Sequence, residues 1–357
     1  MSDELLRWIR PEIKKLAAYH VANAEGMIKL DAMENPYALP EALQQSLVKR
    51  LSQASLNRYP DPSAAALIAV LRQQMGIPAD KAVMLGNGSD ELIQMLAMAV
   101  ANPGACLMSF EPGFVMYRMI AEFVGLNYIG VPLTVDFTLD RASVCQQIQQ
   151  HQPAIIFIAY PNNPSANLFD ESVIEEIIRL APGFVVLDEA YYPFAQASFM
   201  NRLTEFDNLL VMRTVSKMGL AGLRLGLLCG APAIINEINK IRLPYNINVL
   251  TQTAALLVLE NSQVLDQQAE KIRKQRARVY TAMQAIDGLD VFPSQANFIL
   301  FRVCNKPAVK IFDSIKKAGV LIKNMQAESG SLKNCLRVTI GSEDENTAFL
   351  QALETAI

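Results

Sequence analysis

Short apolar runs alternate with helical stretches through the middle of the chain, between residues 40 and 230. The runs are Ala82–Leu85, Ala105–Met108, Ile155–Ile158, Phe184–Leu187 and Leu209–Met212. They are apolar at successive positions, as strands buried on both faces of a parallel sheet require. Strands that alternate with helices predict a doubly wound α/β sheet, whose ligands bind beyond the carboxyl ends of the strands.

The two ends of the chain follow different patterns. Residues 1–30 predict a short amphipathic helix followed by irregular chain, which we interpret as an arm. After a helical pattern over residues 250–286, Asn297–Val303 and Leu336–Ile340 predict strands of a smaller α+β domain. Ser342 and Glu345 have the spacing of a capping box that opens the last helix.

The length of the chain also indicates more than one domain. It has 357 residues, whereas one compact domain typically has about 100–200. The patterns predict an arm over residues 1–30, a large, mostly parallel α/β domain over residues 31–265, and a small α+β domain over residues 266–357.

Composition and charge narrow the class of protein. Hydrophobic residues make up 51% of the chain and charged residues 19%, and the formal net charge is −3 with Lys and Arg scattered. These values are typical of globular proteins and favour neither a nucleic acid nor a membrane as a partner. A small molecule is the expected ligand.

The cysteines and the N-terminus bear on metals and location. The five cysteines stand singly and there are only two histidines, so we predict no metal site. The N-terminus has no signal-peptide pattern, and no apolar run reaches membrane-spanning length. We therefore expect a reduced, cytoplasmic protein.

Two loop motifs follow predicted strands, at the edge where a ligand is expected. The glycines of Gly86–Glu91 allow backbone N–H groups to approach a phosphate, and the helix that follows adds partial positive charge. Two prolines stiffen the loop Tyr160–Ser165 and leave an Asn amide to donate to a flat ligand. Taken singly, the first motif is more often a capped turn than a phosphate site, and the second fits a plain loop as well as it fits a ligand site.

Charged residues follow two further strands. Asp188 ends an apolar strand, where a carboxylate needs a cation: a protonated pyridine nitrogen or a magnesium ion. Magnesium in a nucleotide site requires a G-x-x-x-x-G-K-[ST] loop, which the sequence does not contain. Lys217 follows the next strand among small and apolar residues, which favours a lowered pKa, although most lysines are solvated surface groups. Ser216 and Arg224 beside it are suited to a phosphate.

In this order and spacing, the motifs resemble those of the fold-type-I aminotransferases and, more closely, of the histidinol-phosphate aminotransferase family. They are Gly-Asn-Gly-Ser-Asp-Glu, Pro-Asn-Asn-Pro, Asp-Glu-Ala-Tyr and Ser-Lys-x-Gly-Leu-Ala-Gly-Leu-Arg. The resemblance covers nearly the whole chain and includes Asp31–Tyr37, Tyr59–Asp61, Pro244–Asn248, Asn297–Phe298 and Leu336–Thr339. It implies the α/β fold of the pyridoxal-phosphate-dependent transferases.

The resemblance also implies pyridoxal 5'-phosphate as the cofactor. By it, Lys217 forms a Schiff base with the cofactor, Asp188 holds the pyridine nitrogen, and Tyr191 and Asn163 contact the phenolic oxygen. Phe114 stacks on the ring. The residues implied around the phosphate are Gly88, Ser89, Asp90, Ser216 and Arg224, with Tyr59 reaching it from a second subunit of a homodimer.

For the substrate, the resemblance points to Tyr19, Asn35, Tyr245, Lys323 and Arg337. Arg337 is the implied bidentate partner of substrate anions. The sequence departs from the commoner family pattern at Phe114, which keeps a stacking surface without the hydroxyl of tyrosine. It departs also at Lys323, a point charge in place of an arginine. Ser-Ala follows Pro164 where Thr-Gly is usual.

The reaction implied is transamination between L-histidinol phosphate and 2-oxoglutarate, giving imidazole acetol phosphate and L-glutamate, a step of histidine biosynthesis. An aromatic amino acid aminotransferase and a phospho-amino-acid decarboxylase are alternatives on the same scaffold. Positively charged residues at the end of the substrate pocket that lies away from the cofactor favour a substrate phosphate. An apolar end there favours an aromatic amino acid. A non-catalytic, cofactor-sensing regulator is a remote alternative, because it needs a DNA-binding segment that the sequence does not show.

Overall fold

The computed structural model describes residues 5–18, 21–325 and 330–357. Its strands are β1 (Ile28–Lys29), β2 (Ala82–Asn87), β3 (Cys106–Glu111), β4 (Asn127–Pro132), β5 (Ile155–Ala159), β6 (Phe184–Asp188), β7 (Leu209–Thr214), β8 (Leu225–Gly230), β9 (Leu289–Val291), β10 (Phe298–Val303), β11 (Val320–Leu321), β12 (Lys323–Asn324) and β13 (Cys335–Thr339).

The α-helices are α1 (Pro11–Lys15), α2 (Glu41–Leu51), α3 (Ala65–Met75), α4 (Ser89–Ala99), α5 (Met116–Val124), α6 (Arg141–His151), α7 (Glu171–Leu180), α8 (Tyr192–Ala195), α9 (Pro232–Asn239), α10 (Val249–Glu260), α11 (Gln263–Gln284), α12 (Ala308–Lys317) and α13 (Glu343–Ala356). A π-helical turn spans Ser216–Leu220, and 3-10 turns span Met200–Thr204, Ala221–Leu223 and Gly330–Leu332.

The larger sheet has seven strands in the order β2-β8-β7-β6-β5-β3-β4. Strands β4, β3, β5, β6 and β7 pair in parallel, and β8 runs antiparallel to both of its neighbours. Every residue of β5 and β7 is buried, as their continuous apolar sequences predict. Because parallel strands end at the same edge of a sheet, the segments that follow β5, β6 and β7 converge there.

Helices cover both faces of this sheet. Strand β5 shows why, since Ile156 and Ile158 point into one apolar core while Ile155 and Phe157 point into the other. Helices α3, α6, α7 and α10 contribute to the first core, and α4, α5 and α9 to the second. The doubly wound arrangement predicted from the apolar runs is confirmed.

Two strands of the larger sheet, β4 and β8, are not predicted from continuous apolar runs. Strand β4 lies at the edge of the sheet, and Val131 is its buried residue. Strand β8 contains Gly226, where an added Cβ would lie 2.8 Å from the carbonyl carbon of Gly88. The absence of a side chain at Gly226 permits the loop after β2 to approach the sheet closely. A glycine at this position also weakens the sequence pattern of a strand, because strands favour β-branched residues.

The smaller sheet is antiparallel, in the order β12-β13-β10-β9. Helices α11, α12 and α13 pack against this sheet and share a third apolar core with it. The capping box of α13 is confirmed, since the Ser342 hydroxyl accepts from the Glu345 N–H at 3.3 Å and a Glu345 carboxylate oxygen accepts from the Ser342 N–H at 2.7 Å. Strand β1 pairs with β11, and α11 runs across the predicted boundary at residues 265/266. The domain boundaries stay predictions.

Within the described residues, no helix has both the length and the apolar character needed to cross a membrane. The acidic residues, cysteines and histidines of the same ranges form no group that could hold a metal ion.

Candidate active site

The segments after β5, β6 and β7 meet the loop after β2 at one cavity. It is lined by Met33, Ser89, Asp90, Phe114, Ala159, Asn163, Asp188, Ala190, Tyr191, Thr214, Ser216, Lys217 and Arg224. Most of the residues predicted to hold a cofactor are in this set. The carboxyl edge of the sheet therefore brings together side chains that are far apart in the sequence.

Lys217 lies in the π-helical turn directly after β7 and is partly buried. Its Nζ donates a hydrogen bond of 3.0 Å to the carbonyl oxygen of Ala32. Burial, reinforced by the positive charge of Arg337, lowers the pKa of Lys217 to about 8. The amine is therefore near the neutral form that a nucleophile or a base requires.

Asp188 ends β6 and is 5% exposed. Its Oδ2 accepts a hydrogen bond of 2.7 Å from the Tyr117 hydroxyl, and its Oδ1 accepts one of 3.1 Å from the Ala190 N–H. Burial raises the pKa of Asp188 to about 6, and the hydrogen bond from Tyr117 opposes that rise. Both donors are neutral, so the charge of the ionised carboxylate is uncompensated by them. A protonated ring nitrogen fits this position.

The loop after β2 has the features of a phosphate site. Gly88 has φ 82°, and a Cβ there would lie 2.5 Å from a terminal nitrogen of Arg224. Ser89 begins α4, so the partial positive charge of that helix faces the same end of the cavity. Arg224 donates to Asp90 at 3.0 Å, and the two side chains are 49% and 43% exposed. Such an exposed pair is weak, which leaves the guanidinium able to bind a phosphate.

Three buried side chains form a chain of hydrogen bonds along the cavity. Asn163 Nδ2 donates to the Tyr191 hydroxyl oxygen at 3.1 Å, and Arg337 Nη1 donates to Asn163 Oδ1 at 2.5 Å. Arg337 Nη2 donates to the carbonyl oxygen of Asp31 at 3.0 Å. Burial raises the pKa of Tyr191, which keeps its phenol protonated as a hydrogen-bond donor. The positions of Tyr191 and Arg337 are thereby coupled.

Lys217 also lines a neighbouring cleft. Lys323 and Arg337, both predicted to bind substrate, are directly paired in the β12–β13 register. The cleft is lined by Val21, Ala22, Asp31, Ala32, Met33, Phe114, Lys217, Phe312, Leu321, Ile322, Lys323, Asn324 and Arg337. The lining of one cleft therefore includes Lys217 and two further cationic side chains, an arrangement suited to an anionic substrate.

Some predicted residues lie elsewhere. The Asn35 amide donates to the Met218 carbonyl oxygen and to the Gln268 side chain, each at 2.9 Å, so it braces the turn that carries Lys217. Tyr59 and Tyr245 stack with ring centroids 4.4 Å apart, and Tyr59 is 80% exposed. Tyr19 lies outside the described residues. The roles of Tyr19, Asn35, Tyr59 and Tyr245 stay predictions, as do the roles of the predicted residues that line the cavity.

Two features of the site escape sequence reasoning. Tyr117, the partner of Asp188, occupies an apolar position of α5 within a hydrophobic core. Nothing in that pattern separates it from an ordinary packed aromatic residue. The carbonyl oxygen of Ala32, which holds Lys217, is a backbone group that any residue could supply.

A buried ion pair joins the segments that carry Asp188 and Lys217. Glu189 follows Asp188, and Arg213 lies four residues before Lys217. Their side chains are 0% and 4% exposed, and Arg213 Nε donates to a Glu189 carboxylate oxygen at 2.9 Å. Arg213 Nη1 also donates to the Met75 carbonyl oxygen at 3.0 Å. The pair therefore fixes the ends of β6 and β7 relative to each other.

We expect Glu189→Ala to lower the free energy of unfolding by about 3–5 kcal/mol, because it leaves the Arg213 guanidinium buried without its anion. Thermal or urea unfolding of the cofactor-free protein measures this change. Glu205→Ala is the matched control, since Glu205 pairs with Arg202 and is 48% exposed; its effect should stay within about 1 kcal/mol. Equal losses in the two variants would contradict a structural role for the buried pair.

Comparison with known proteins agrees with this geometry. The family model of the class I and II aminotransferases matches residues 25–353. The chain is 54% identical over 352 residues to histidinol-phosphate aminotransferase 2 of Nitrosococcus oceani, covering 99% of this chain and 98% of that protein. It is 52% identical over 356 residues to histidinol-phosphate aminotransferase 2 of Cupriavidus pinatubonensis, covering 98% and 97%.

The fold is similar to a solved one. The histidinol-phosphate aminotransferase from Sinorhizobium meliloti, in complex with pyridoxal-5'-phosphate, superposes with a TM-score of 0.85 at 22% identity, covering 98% of this chain and 97% of that one. At this identity the likeness shows the fold, and the predicted fold class is confirmed. Because the family model and the relatives extend over nearly all of the sequence, the chain belongs to the family of class I and II aminotransferases.

Proposed function

We propose that the protein transfers the amino group of L-histidinol phosphate to 2-oxoglutarate, giving imidazole acetol phosphate and L-glutamate, in histidine biosynthesis. The observation that carries the proposal is the cationic cleft beside Lys217, in which Lys323 and Arg337 are paired across neighbouring strands. The donor has a phosphate and the acceptor has carboxylates, and both are anions that such a cleft binds. The names of the two relatives support the same reaction.

Pyridoxal 5'-phosphate is the proposed cofactor. When bound, it supplies an electron-withdrawing ring that stabilises negative charge at the α-carbon of the substrate. Asp188 would hold the ring nitrogen, Tyr191 and Asn163 the phenolic oxygen, and Phe114 the face of the ring. The phosphate would be held by Gly88, Ser89, Asp90, Ser216 and Arg224, with Tyr59 from a second copy of the chain.

Lys217 is the proposed acid and base. Its amine accepts the proton from the α-carbon of the amino donor and later returns a proton as a general acid. Burial, by lowering the pKa to about 8, allows the amine to perform both roles near neutral pH. The hydrogen bond to the Ala32 carbonyl oxygen holds Nζ at the junction of the cavity and the cationic cleft.

Arg337 is proposed to couple substrate binding to the geometry of the cavity. Its guanidinium is 7% exposed and donates to Asn163, which itself donates to Tyr191. An anion bound to Arg337 therefore sits at one end of a hydrogen-bonded chain whose other end is the phenol of Tyr191. This arrangement aligns the substrate before proton transfer, which is a large source of rate enhancement.

We expect Arg337→Lys to raise the KM for 2-oxoglutarate and L-histidinol phosphate by roughly 10- to 100-fold. Lysine keeps the charge but loses the planar pair of donors. Steady-state kinetics measure the change, with Arg302→Lys as the control because Arg302 lies in the same sheet and its ion pair with Asp290 is partly exposed. A KM equal to that of the unmodified protein would contradict the placement of the substrate anion at Arg337.

The preferred substrate distinguishes the proposed reaction from those of an aromatic amino acid aminotransferase and a phospho-amino-acid decarboxylase. Rates of amino transfer to 2-oxoglutarate should be compared for L-histidinol phosphate, L-phenylalanine and L-tyrosine, and release of CO2 measured with a phosphorylated amino acid. We expect the highest kcat/KM with L-histidinol phosphate. Preference for an aromatic amino acid would contradict the substrate, and release of CO2 as the main reaction would contradict transamination.

A cytoplasmic homodimer is part of the proposal. The stacked Tyr59 and Tyr245 are exposed, as are Leu56, Leu243 and Leu250 near them in the sequence. Exposed apolar side chains of this kind favour a contact between proteins. Such a contact is consistent with Tyr59 reaching the cofactor of a second copy.

A further inference from the structure

Tyr117 lies on α5 and its side chain is 1% exposed. Its ring stacks on Phe157 with centroids 4.8 Å apart and meets the edge of Phe114 at 5.4 Å. The hydroxyl group donates a hydrogen bond of 2.7 Å to Asp188 Oδ2. Two aromatic contacts therefore fix the ring and direct the hydroxyl at the carboxylate that faces the cavity.

Packing alone does not require this hydroxyl. Phenylalanine would make the same ring contacts with Phe157 and Phe114, and burying a hydroxyl carries a desolvation cost unless it is hydrogen-bonded. The second oxygen of Asp188 is held from another direction by the Ala190 N–H at 3.1 Å. The two donors come from different elements and fix the plane of the carboxylate. Each oxygen can still accept a further hydrogen bond.

We propose that Tyr117 is a positioning residue for the cofactor, whose hydrogen bond orients the Asp188 carboxylate and favours the ionised form that can hold a protonated pyridine nitrogen. The inference rests on the cofactor site proposed above and extends it to a residue that does not line the cavity. Burial raises the pKa of Asp188 to about 6, and the hydrogen bond from Tyr117 acts in the opposite direction. Without Tyr117, a larger fraction of Asp188 is protonated and neutral near physiological pH.

Other ionisable groups lie around Asp188 on the neighbouring elements. They are Asp90 at the start of α4, Glu189 and Tyr191 after β6, Lys217 after β7, and Arg224 before β8. The negative charges of Asp90 and Glu189 raise the pKa of Asp188 further. Because Tyr117→Phe leaves all of these groups in place, a changed titration of Asp188 reports the loss of the phenol hydrogen bond.

The first readout is the titration of the Asp188 carboxylate in the full-length, cofactor-free protein. Carbon-13 NMR of protein labelled at the aspartate carboxyl carbons follows it, with the signal assigned by Asp188→Asn. We expect Tyr117→Phe to raise the midpoint by about one pH unit, given the usual strength of hydrogen bonds to charged groups. Tyr128→Phe is the matched control and should leave the midpoint unchanged, because the Tyr128 hydroxyl donates to Glu111 at 3.0 Å, away from this cavity.

The second readout uses the holoenzyme. The nitrogen-15 shift of bound pyridoxal phosphate labelled at the ring nitrogen should move toward the unprotonated value in Tyr117→Phe and stay constant in Tyr128→Phe. If Tyr117→Phe fails to fold, 3-fluorotyrosine at position 117 replaces it; this more acidic phenol is a stronger donor and should lower the Asp188 midpoint.

The outcomes separate this inference from the proposed function. Unchanged Asp188 titration in Tyr117→Phe or with 3-fluorotyrosine, or an equal change in Tyr128→Phe, would overturn the role of Tyr117. Failure of the unmodified protein to bind pyridoxal phosphate would instead overturn the proposed cofactor site, and with it the positioning role. A shifted titration together with a shifted nitrogen-15 signal is the result that supports the inference.

Discussion

Lys217→Ala is expected to lower kcat for transamination by on the order of 10³-fold or more, the largest effect of any single substitution in the site. The variant would lose the amine proposed to attach the cofactor and to move the α-proton of the substrate. Alanine leaves the π-helical turn and its bond from Asn35 to Met218 in place. Steady-state rates at saturating L-histidinol phosphate and 2-oxoglutarate, with pyridoxal phosphate in excess, measure the change.

The control for Lys217→Ala is a lysine outside the site. Lys240 pairs with Glu237 on the surface and is 68% exposed, so Lys240→Ala should keep the unmodified rate. Excess cofactor ensures that weaker binding does not account for the loss. A Lys217→Ala protein that retained a tenth or more of the activity would show that another residue carries the proton.

Asp188→Asn is expected to lower kcat by about 10²- to 10³-fold, as expected for removal of an electrostatic group that acts in the transition state. Asparagine keeps the shape of the side chain but loses the charge that would hold the ring nitrogen protonated. Rates at saturating substrates and cofactor measure this effect. Asp290→Asn is the control, because Asp290 is 52% exposed and pairs with Arg302 in the smaller sheet.

The same substitution has a consequence for pH dependence. The folded-state pKa of Asp188 is raised to about 6, so the carboxylate is ionised above that pH and becomes neutral below it. Cofactor affinity of the unmodified protein should therefore fall as the pH decreases through about 6, and Asp188→Asn should lack this component. An identical decrease of cofactor affinity at acidic pH in both proteins would contradict the assignment of Asp188 to the ring nitrogen.

The fold could be predicted from sequence where a buried strand consists of consecutive apolar residues. Strands β5, β6 and β7 are apolar at nearly every position because helices cover both of their faces. Strand β4 has no such run of residues, because it lies at the edge of the sheet and is mostly half-buried. Strand β8 is interrupted by Gly226, a residue required by the close approach of the loop after β2.

The site could be predicted where a motif follows a strand, as Asp188 and Lys217 do. Tyr117 could not be predicted, because its function depends on which carboxylate its hydroxyl meets across the core. Asn35 lies in a family motif and is predicted to bind substrate, but its amide donates to the Met218 carbonyl oxygen and to the Gln268 side chain. A motif therefore locates this residue near the site without giving its contacts. Tyr59 and Tyr245 stack on each other in an exposed position, and their proposed roles depend on a second subunit.

The most direct test of the proposed function is the absorbance spectrum of the cofactor-loaded protein before and after L-histidinol phosphate is added alone. The proposed function predicts that the band of the lysine-bound cofactor converts stoichiometrically to that of pyridoxamine phosphate, and that 2-oxoglutarate restores it. Conversion by L-phenylalanine or L-tyrosine but not by L-histidinol phosphate would contradict the substrate, and the absence of any lysine-bound band would contradict the role of Lys217.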